Sequence, residues 1–168
     1  MSWDNPSFMR LLPRQFVLNV ATIGRIGRER KAPGTWGSGI GILWYMLAFW
    51  KLNAAEFLIL FLASNLLSIW FCAAAEEILQ QTDPSCVILD EVCAVPLCYF
   101  GLEKFIPYVS LWKVILIGFF LFRLFDIWKP LGIRYLQRLP KGIGVVIDDI
   151  AAAFVVMILL NFYLFFIK

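Results

Sequence analysis

Apolar residues run along this chain in long blocks, broken by short polar or charged stretches. Five blocks stand out, at 36–50, 54–75, 86–101, 106–125 and 147–167. The second and fifth are long enough for a helix to cross about 30 Å of hydrocarbon, whereas the first is short for a span. Only Lys51, Leu52 and Asn53 separate the first two, which predicts a helical hairpin with Glu56 at the interface near its tip. The third block is short and carries both Asp90-Glu91 and Pro96. That combination predicts packing against protein rather than full exposure to lipid. The fourth block ends at Arg123 and Asp126, and the fifth begins at Asp148-Asp149.

Ahead of these blocks, Leu11, Leu12, Phe16, Val17, Val20 and Ile23 recur loosely at helical spacing. Arg10, Arg14, Arg25, Arg28, Arg30 and Lys31 surround them, a pattern that predicts an amphipathic helix lying at the membrane interface. The expected fold is therefore all-α. It is a polytopic membrane helical bundle of about four to five apolar segments in one domain over 1–168, with 1–31 as a basic interfacial N-terminal segment.

Composition agrees with this pattern. The chain is 61% hydrophobic and 16% charged, against about 45–50% and about 25% for soluble domains. Its mean hydropathy is +0.79. The net charge of +3 is modest; it implies no nucleic acid partner, because basic residues also orient membrane chains and attract anionic lipid. The first residues lack the layout of a cleavable signal. Cys72, Cys86, Cys93 and Cys98 form no CxxC pair and read as small core residues. The chain has no histidine, which excludes Ser-His-Asp and Cys-His mechanisms and a histidine nucleophile. Any chemistry must use carboxylates, Lys, Arg, hydroxyls or a metal.

With the N-terminus inside and five alternating crossings, eleven of the fifteen Lys and Arg fall on the inner side. The exceptions are Lys51, Lys104, Lys113 and Lys168. This agrees with the positive-inside rule. The same threading brings the KAPGTWGS turn, Asp90-Glu91, Asp126 and Asp148-Asp149 to the inner ends of their segments. Two short segments could be re-entrant without moving the acids to the other face.

The densest chemistry lies in 122–149, FRLFDIWKPLGIRYLQRLPKGIGVVIDD. Charged groups in apolar segments are costly, so they are paired, hydrated or functional. Asp90, Glu91, Asp126, Asp148 and Asp149 at one depth point to a Mg2+ site, because Mg2+ takes oxygen ligands and combines one or two carboxylates with substrate phosphate. Arg123 and Lys129 are suited to stabilise a phosphoryl group. Arg123 and Asp126 lie three apart and share a helix face, which also fits a plain ion pair. Asp148-Asp149 at a helix start also fits plain capping. Arg134, Arg138 and Lys141 read as lipid-headgroup contacts. In the KAPGTWGSG turn, Thr35 or Ser38 is placed to cap a helix, and helix-start N–H groups beside small residues suit a phosphate. Lys31, Gly34, Thr35 and Ser38 are its candidate phosphate contacts. Two other classes compete. Another membrane phosphoryl-transfer enzyme is one, although the Asp-Gly then Ala-Arg run of phosphoalcohol transferases is absent. A cation channel or transporter built on the acids is the other, but it predicts acids spread through the membrane or an internal repeat, and no repeat is visible.

In order and spacing, KAPGTWGS, LDEV, FRLFDIWKPLGI and GIGVVIDDIAA resemble the bacterial phosphatidylglycerophosphatase A family, over about 27–154. The resemblance implies a Mg2+-dependent phosphatase of the bacterial inner membrane, with its active site on the cytoplasmic face. Its substrate would be phosphatidylglycerophosphate and its products phosphatidylglycerol and inorganic phosphate. Carried over by motif, the site would hold Asp90, Glu91, Asp126, Asp148, Asp149, Arg123, Lys129 and the Pro33-Gly34-Thr35 turn. The chain departs from the family pattern at Ala94, where a glycine is common, and at Gly132, where a second proline is usual. Lys141-Gly142 also stands in place of a glycine pair. Attack by water fits better than an aspartyl nucleophile, since no DxD phosphatase signature is present, although a carboxylate nucleophile stays open.

Overall fold

A computed structural model describes residues 12–29, 31–105, 109–130, 132–137, 139 and 142–167. Arg10, Leu11, Arg30, Arg138, Lys141 and Lys168 lie outside the described residues, as do Ile106 at the start of the fourth block and the side chain of Arg134.

Eight helices are described, and no strand occurs among the described residues. They are α1 (Arg14–Ala21), α2 (Ile26–Glu29), α3 (Pro33–Trp44), α4 (Ala54–Leu79), α5 (Leu89–Ala94), α6 (Leu111–Trp128), α7 (Ile133–Leu136) and α8 (Ile143–Ile167). α3 continues through a π turn at Tyr45–Phe49, and α5 through a 3₁₀ turn at Val95–Tyr99.

The N-terminal region departs from a single interfacial helix over Leu11–Ile26. α1 stops at Ala21, Ile23 and Gly24 take positive φ, and the short α2 follows. α1 buries Val17 and Ala21 against α4, and Phe16 meets Phe71 with ring centroids 6.3 Å apart.

The short connection expected at 51–53 is present, but α3 and α4 do not pack along each other as a hairpin; each packs on α5 instead. A cap follows the connection. The Asn53 side chain accepts from the N–H groups of Ala55 and Glu56, both at 3.0 Å. In return the Glu56 carboxylate accepts from the Asn53 N–H at 2.9 Å. Glu56 thus closes a capping box at the start of α4.

α4 and α8, with 26 and 25 residues, are long and apolar enough to cross a membrane. Their outer faces expose Leu58, Ile59, Leu62, Phe154, Ile158 and Phe162, and α6 exposes Leu116, Phe120 and Ile127. Apolar surface this continuous fits lipid rather than water. The third block forms no single helix long enough to span. Its helical parts, of six and five residues, are too short for about 30 Å. Asp90 to Pro96 are all buried, with α3, α4 and α8 packed around α5.

The main apolar core joins Phe49, Phe57, Phe61, Tyr99, Val156 and Leu160. A smaller cluster joins Ala21, Cys72, Ala75, Val87 and Val146. Cys72, Cys93 and Cys98 are buried free thiols, as expected of core residues, and Cys86 is half-buried.

Close packing in the core depends on Gly118 of α6. A Cβ there would stand 2.5 Å from Tyr99 Cε1. Tyr99 is held in place by donating to the Ile115 carbonyl at 3.0 Å, while the Tyr45 hydroxyl donates to the Tyr99 carbonyl at 3.2 Å. Gly118→Ala therefore overpacks this contact and should cost about 1–3 kcal/mol. Thermal unfolding in detergent should show a lowered Tm, and an unchanged Tm would contradict the placement of Tyr99.

Candidate active site

Five elements end at one side of the bundle. They are the starts of α3, α5 and α8 and the ends of α4 and α6. Between them lies a half-open cavity of about 280 Å³. Its wall includes Asp90 and Glu91 from α5, Arg123 and Asp126 from α6, Lys129 just after α6, and Asp148 and Asp149 from α8. Ala32, Pro33 and Gly34 form another side, and Asp83, Ser85, Val87 and Val145 complete it. All five carboxylates and both cations singled out in the sequence thus line one cavity.

The carboxylates are buried, Asp148 and Asp149 at 1% and 3% exposure. Two cations partner some of them. Arg123 Nη1 donates to Glu91 Oε1 at 2.9 Å and to Asp126 Oδ2 at 2.6 Å. This guanidinium is more than an intrahelical partner, because it ties α6 to α5. The Lys129 ammonium donates to Asp148 Oδ2 and stands 3.9 Å from Asp126 Oδ1. Burial acts to lower the Lys129 pKa. The hydrogen bond and charge of Asp148, with Asp149 and Asp126 nearby, outweigh burial and hold the amine above its ordinary value.

Several polar atoms at the site remain without a hydrogen-bond partner although buried. They are Asp90 Oδ1, Glu91 Oε2, Asp149 Oδ2 and Arg123 Nε. Buried polar atoms are normally satisfied, so such a cluster marks a place for a ligand or ion. The three carboxylate oxygens among them are hard donors, which suits Mg2+. Among the described residues, no three acidic or sulfur side chains stand together as a ready-made metal cage. An ion held by one or two carboxylates plus substrate oxygens needs no such cage.

The KAPGTWGS turn takes a different part from the one its residues predict. α3 starts at Pro33, whose ring suits the first helical position, after Ala32 at φ +55. Thr35 and Ser38 lie inside the helix and cap nothing; Ser38 Oγ donates to the Gly34 carbonyl at 2.9 Å. Gly34 is in the cavity wall, whereas Lys31 and Thr35 are exposed and outside it. Ser38 is fully buried, with Oγ 3.4 Å from Arg123 Nη1. The close approach that the glycines permit is to protein. A Cβ on Gly34 would lie 2.2 Å from Glu91 Oε1, and one on Gly37 would lie 2.1 Å from Glu91 Oε2.

Asp148 and Asp149 also sit differently. α8 begins at Ile143, so these acids lie beyond its first turn and cap nothing. Gly132 takes φ +81, which a proline ring forbids, so the loop after Pro130 has its own shape. Gly37, Asp83 and Ser85 were not legible as site residues. For Asp83 and Ser85 the available signal was their place in the polar loop shortly before Asp90-Glu91.

The sequence model described as phosphatidylglycerophosphatase A matches residues 19–164. The phosphatidylglycerophosphatase A of Haemophilus influenzae is 37% identical over 128 residues, which is 76% of this chain and 76% of that protein. That of Escherichia coli is 28% identical over 124 residues, 71% of this chain and 67% of the relative. A Bacteroides thetaiotaomicron protein, named provisionally as a phosphatidylinositol-3-phosphatase, is 33% identical over 129 residues, 72% of this chain and 76% of its own. No solved structure matches the chain.

The Lys129–Asp148 pair generates a stability prediction. Lys129→Met leaves a buried carboxylate without its cation and should cost about 3–5 kcal/mol. Adding Asp148→Asn should restore part of that loss, read as Tm in detergent. Additive losses would show that the two side chains do not interact.

Proposed function

The chain belongs to the phosphatidylglycerophosphatase A family, and we propose that it hydrolyses phosphatidylglycerophosphate to phosphatidylglycerol and inorganic phosphate with the help of Mg2+. One observation carries this reading beyond the family: five buried carboxylates, with Asp83 at the rim, and two cations line a single half-open cavity at one end of apolar helices. The cavity offers hard oxygens for a divalent ion and cations for a phosphate, with no histidine in the chain to serve as nucleophile.

Asp90, Glu91 and Asp149, each with an unpartnered buried oxygen, are the residues that would hold Mg2+. Asp126 and Asp148, and Glu91 through its Oε1, are engaged by the cations, and these pairings would adjust as the ion and substrate bind. Bound there, Mg2+ supplies Lewis acidity, which draws charge from phosphoryl oxygens and makes water easier to deprotonate. Arg123 retains Nε as a donor toward a phosphate oxygen, while its Nη1 holds Glu91 and Asp126 in position. Lys129 adds positive charge at the same wall and offsets the charge that builds on the phosphoryl oxygens. Water attacks phosphorus, a carboxylate takes its proton, and the glycerol oxygen leaves with the broken P–O bond and is protonated.

Acyl chains of the substrate would stay in lipid beside the exposed apolar faces of α4, α6 and α8 while the headgroup reaches the cavity. The bias of Lys and Arg to the site end supports a site on the cytoplasmic face of the bacterial inner membrane, in a chain that crosses more than once.

The test is phosphate release from phosphatidylglycerophosphate in detergent, with Mg2+ or EDTA, beside phosphatidylinositol 3-phosphate. Release that requires Mg2+ and favours the glycerol headgroup is expected. Preference for the inositol lipid would move the substrate to that class, and EDTA-resistant release would remove the metal. Asp90→Asn and Asp149→Asn should each lower kcat by about 100-fold or more while the protein still inserts. Wild-type turnover in both would remove their assignment.

A further inference from the structure

Glu76 lies in the last turn of α4, outside the cavity wall, yet its carboxylate is bonded to two segments that build the wall. Glu76 Oε1 accepts from the Asp83 N–H at 2.9 Å. Its Oε2 accepts from the Gly142 N–H at 2.8 Å. Asp83 takes φ +50 and opens the stretch that leads through Ser85 and Val87 to Asp90 and Glu91. Gly142 immediately precedes α8, which carries Asp148 and Asp149.

The start of α8 is also pressed against α4. A Cβ on Gly142 would stand 2.5 Å from the Ala73 backbone nitrogen and 2.7 Å from the Ile69 carbonyl oxygen. A carboxylate at a helix N-terminus is further favoured by the helix dipole. From this geometry we infer that Glu76 is a positioning residue for the reaction. It sets the distance between the Asp90-Glu91 pair and the Asp148-Asp149 pair by fixing one backbone N–H upstream of each. The inference rests on the phosphatase reading above. Both acid pairs face one cavity, so a shift of one segment alters their spacing directly. Misplacement by about 1 Å is enough to cost about 100-fold in rate.

Two variants and two readouts test it. Glu76→Ala removes both acceptors, whereas Glu76→Gln keeps one and turns an N–H donor toward the other. On phosphatidylglycerophosphate, kcat should fall by about 10–100-fold in Glu76→Ala, the range for partners one step removed from a reacting group, and by less in Glu76→Gln. KM should stay within about 3-fold, since no group of the cavity wall is removed. Amide hydrogen exchange should quicken at 83–88 and 142–149 in both variants and stay unchanged across α6. If Glu76→Ala does not fold, Glu76→Gln decides alone. Wild-type kcat in the variants would overturn the inference. So would a loss carried by KM, or exchange that quickens throughout the bundle. A wild-type protein silent on the substrate would count against the phosphatase reading instead, and local exchange at Asp83 and Gly142 in Glu76→Gln would still decide what Glu76 holds.

Discussion

The structure is governed by the need to keep five carboxylates together inside a bundle of apolar helices. Each buried ion loses hydration worth several kcal/mol, and proximity adds repulsion between like charges. Arg123 and Lys129 supply part of the compensation. Arg123 acts across elements, joining Glu91 of α5 to Asp126 of its own helix. Lys129 joins the end of α6 to Asp148 of α8. The polar site therefore also fastens the helices around it, and cannot be treated as a patch added to a finished apolar fold.

Backbone shape makes that arrangement possible. Glu91 fits because Gly34 and Gly37 leave no Cβ on the face of α3 toward it. Pro33 starts α3 beside the cavity without requiring a side-chain cap. α5 is short and surrounded by α3, α4 and α8, so its acids are held within protein. The 3₁₀ turn containing Pro96 then carries the chain along α8 away from the cavity. Apolar faces turned outward leave the interior for the site and its supports.

Much of this was legible in sequence, for identifiable reasons. The acids and cations stood out because charge is rare in apolar runs, and positive-charge bias gathered them at one end. α4 and α8 followed from uninterrupted hydropathy, although α4 runs on to Leu79 through residues that read as a polar loop and α8 starts earlier, at Ile143. What escaped depended on partners distant in sequence. Glu76 and Gly142 are 66 residues apart, and no spacing rule links them. The cap role of Glu56 also escaped, although its partner, the Asn53 N–H, is close in sequence. Thr35 and Ser38 read as caps because hydroxyl residues favour that position, but Pro33 begins the helix earlier. The glycines of the KAPGTWGS turn correctly signalled close approach, although the approaching group is Glu91.

The central claim is that the oxygens left unpartnered on Asp90, Glu91 and Asp149 bind a divalent cation. Calorimetric titration of Mg2+ into the detergent-purified protein, without substrate, tests it most directly. The account predicts saturable binding in the wild type and its loss in Asp149→Asn. Absence of binding in a folded wild-type protein, or equal binding in the variant, would contradict it.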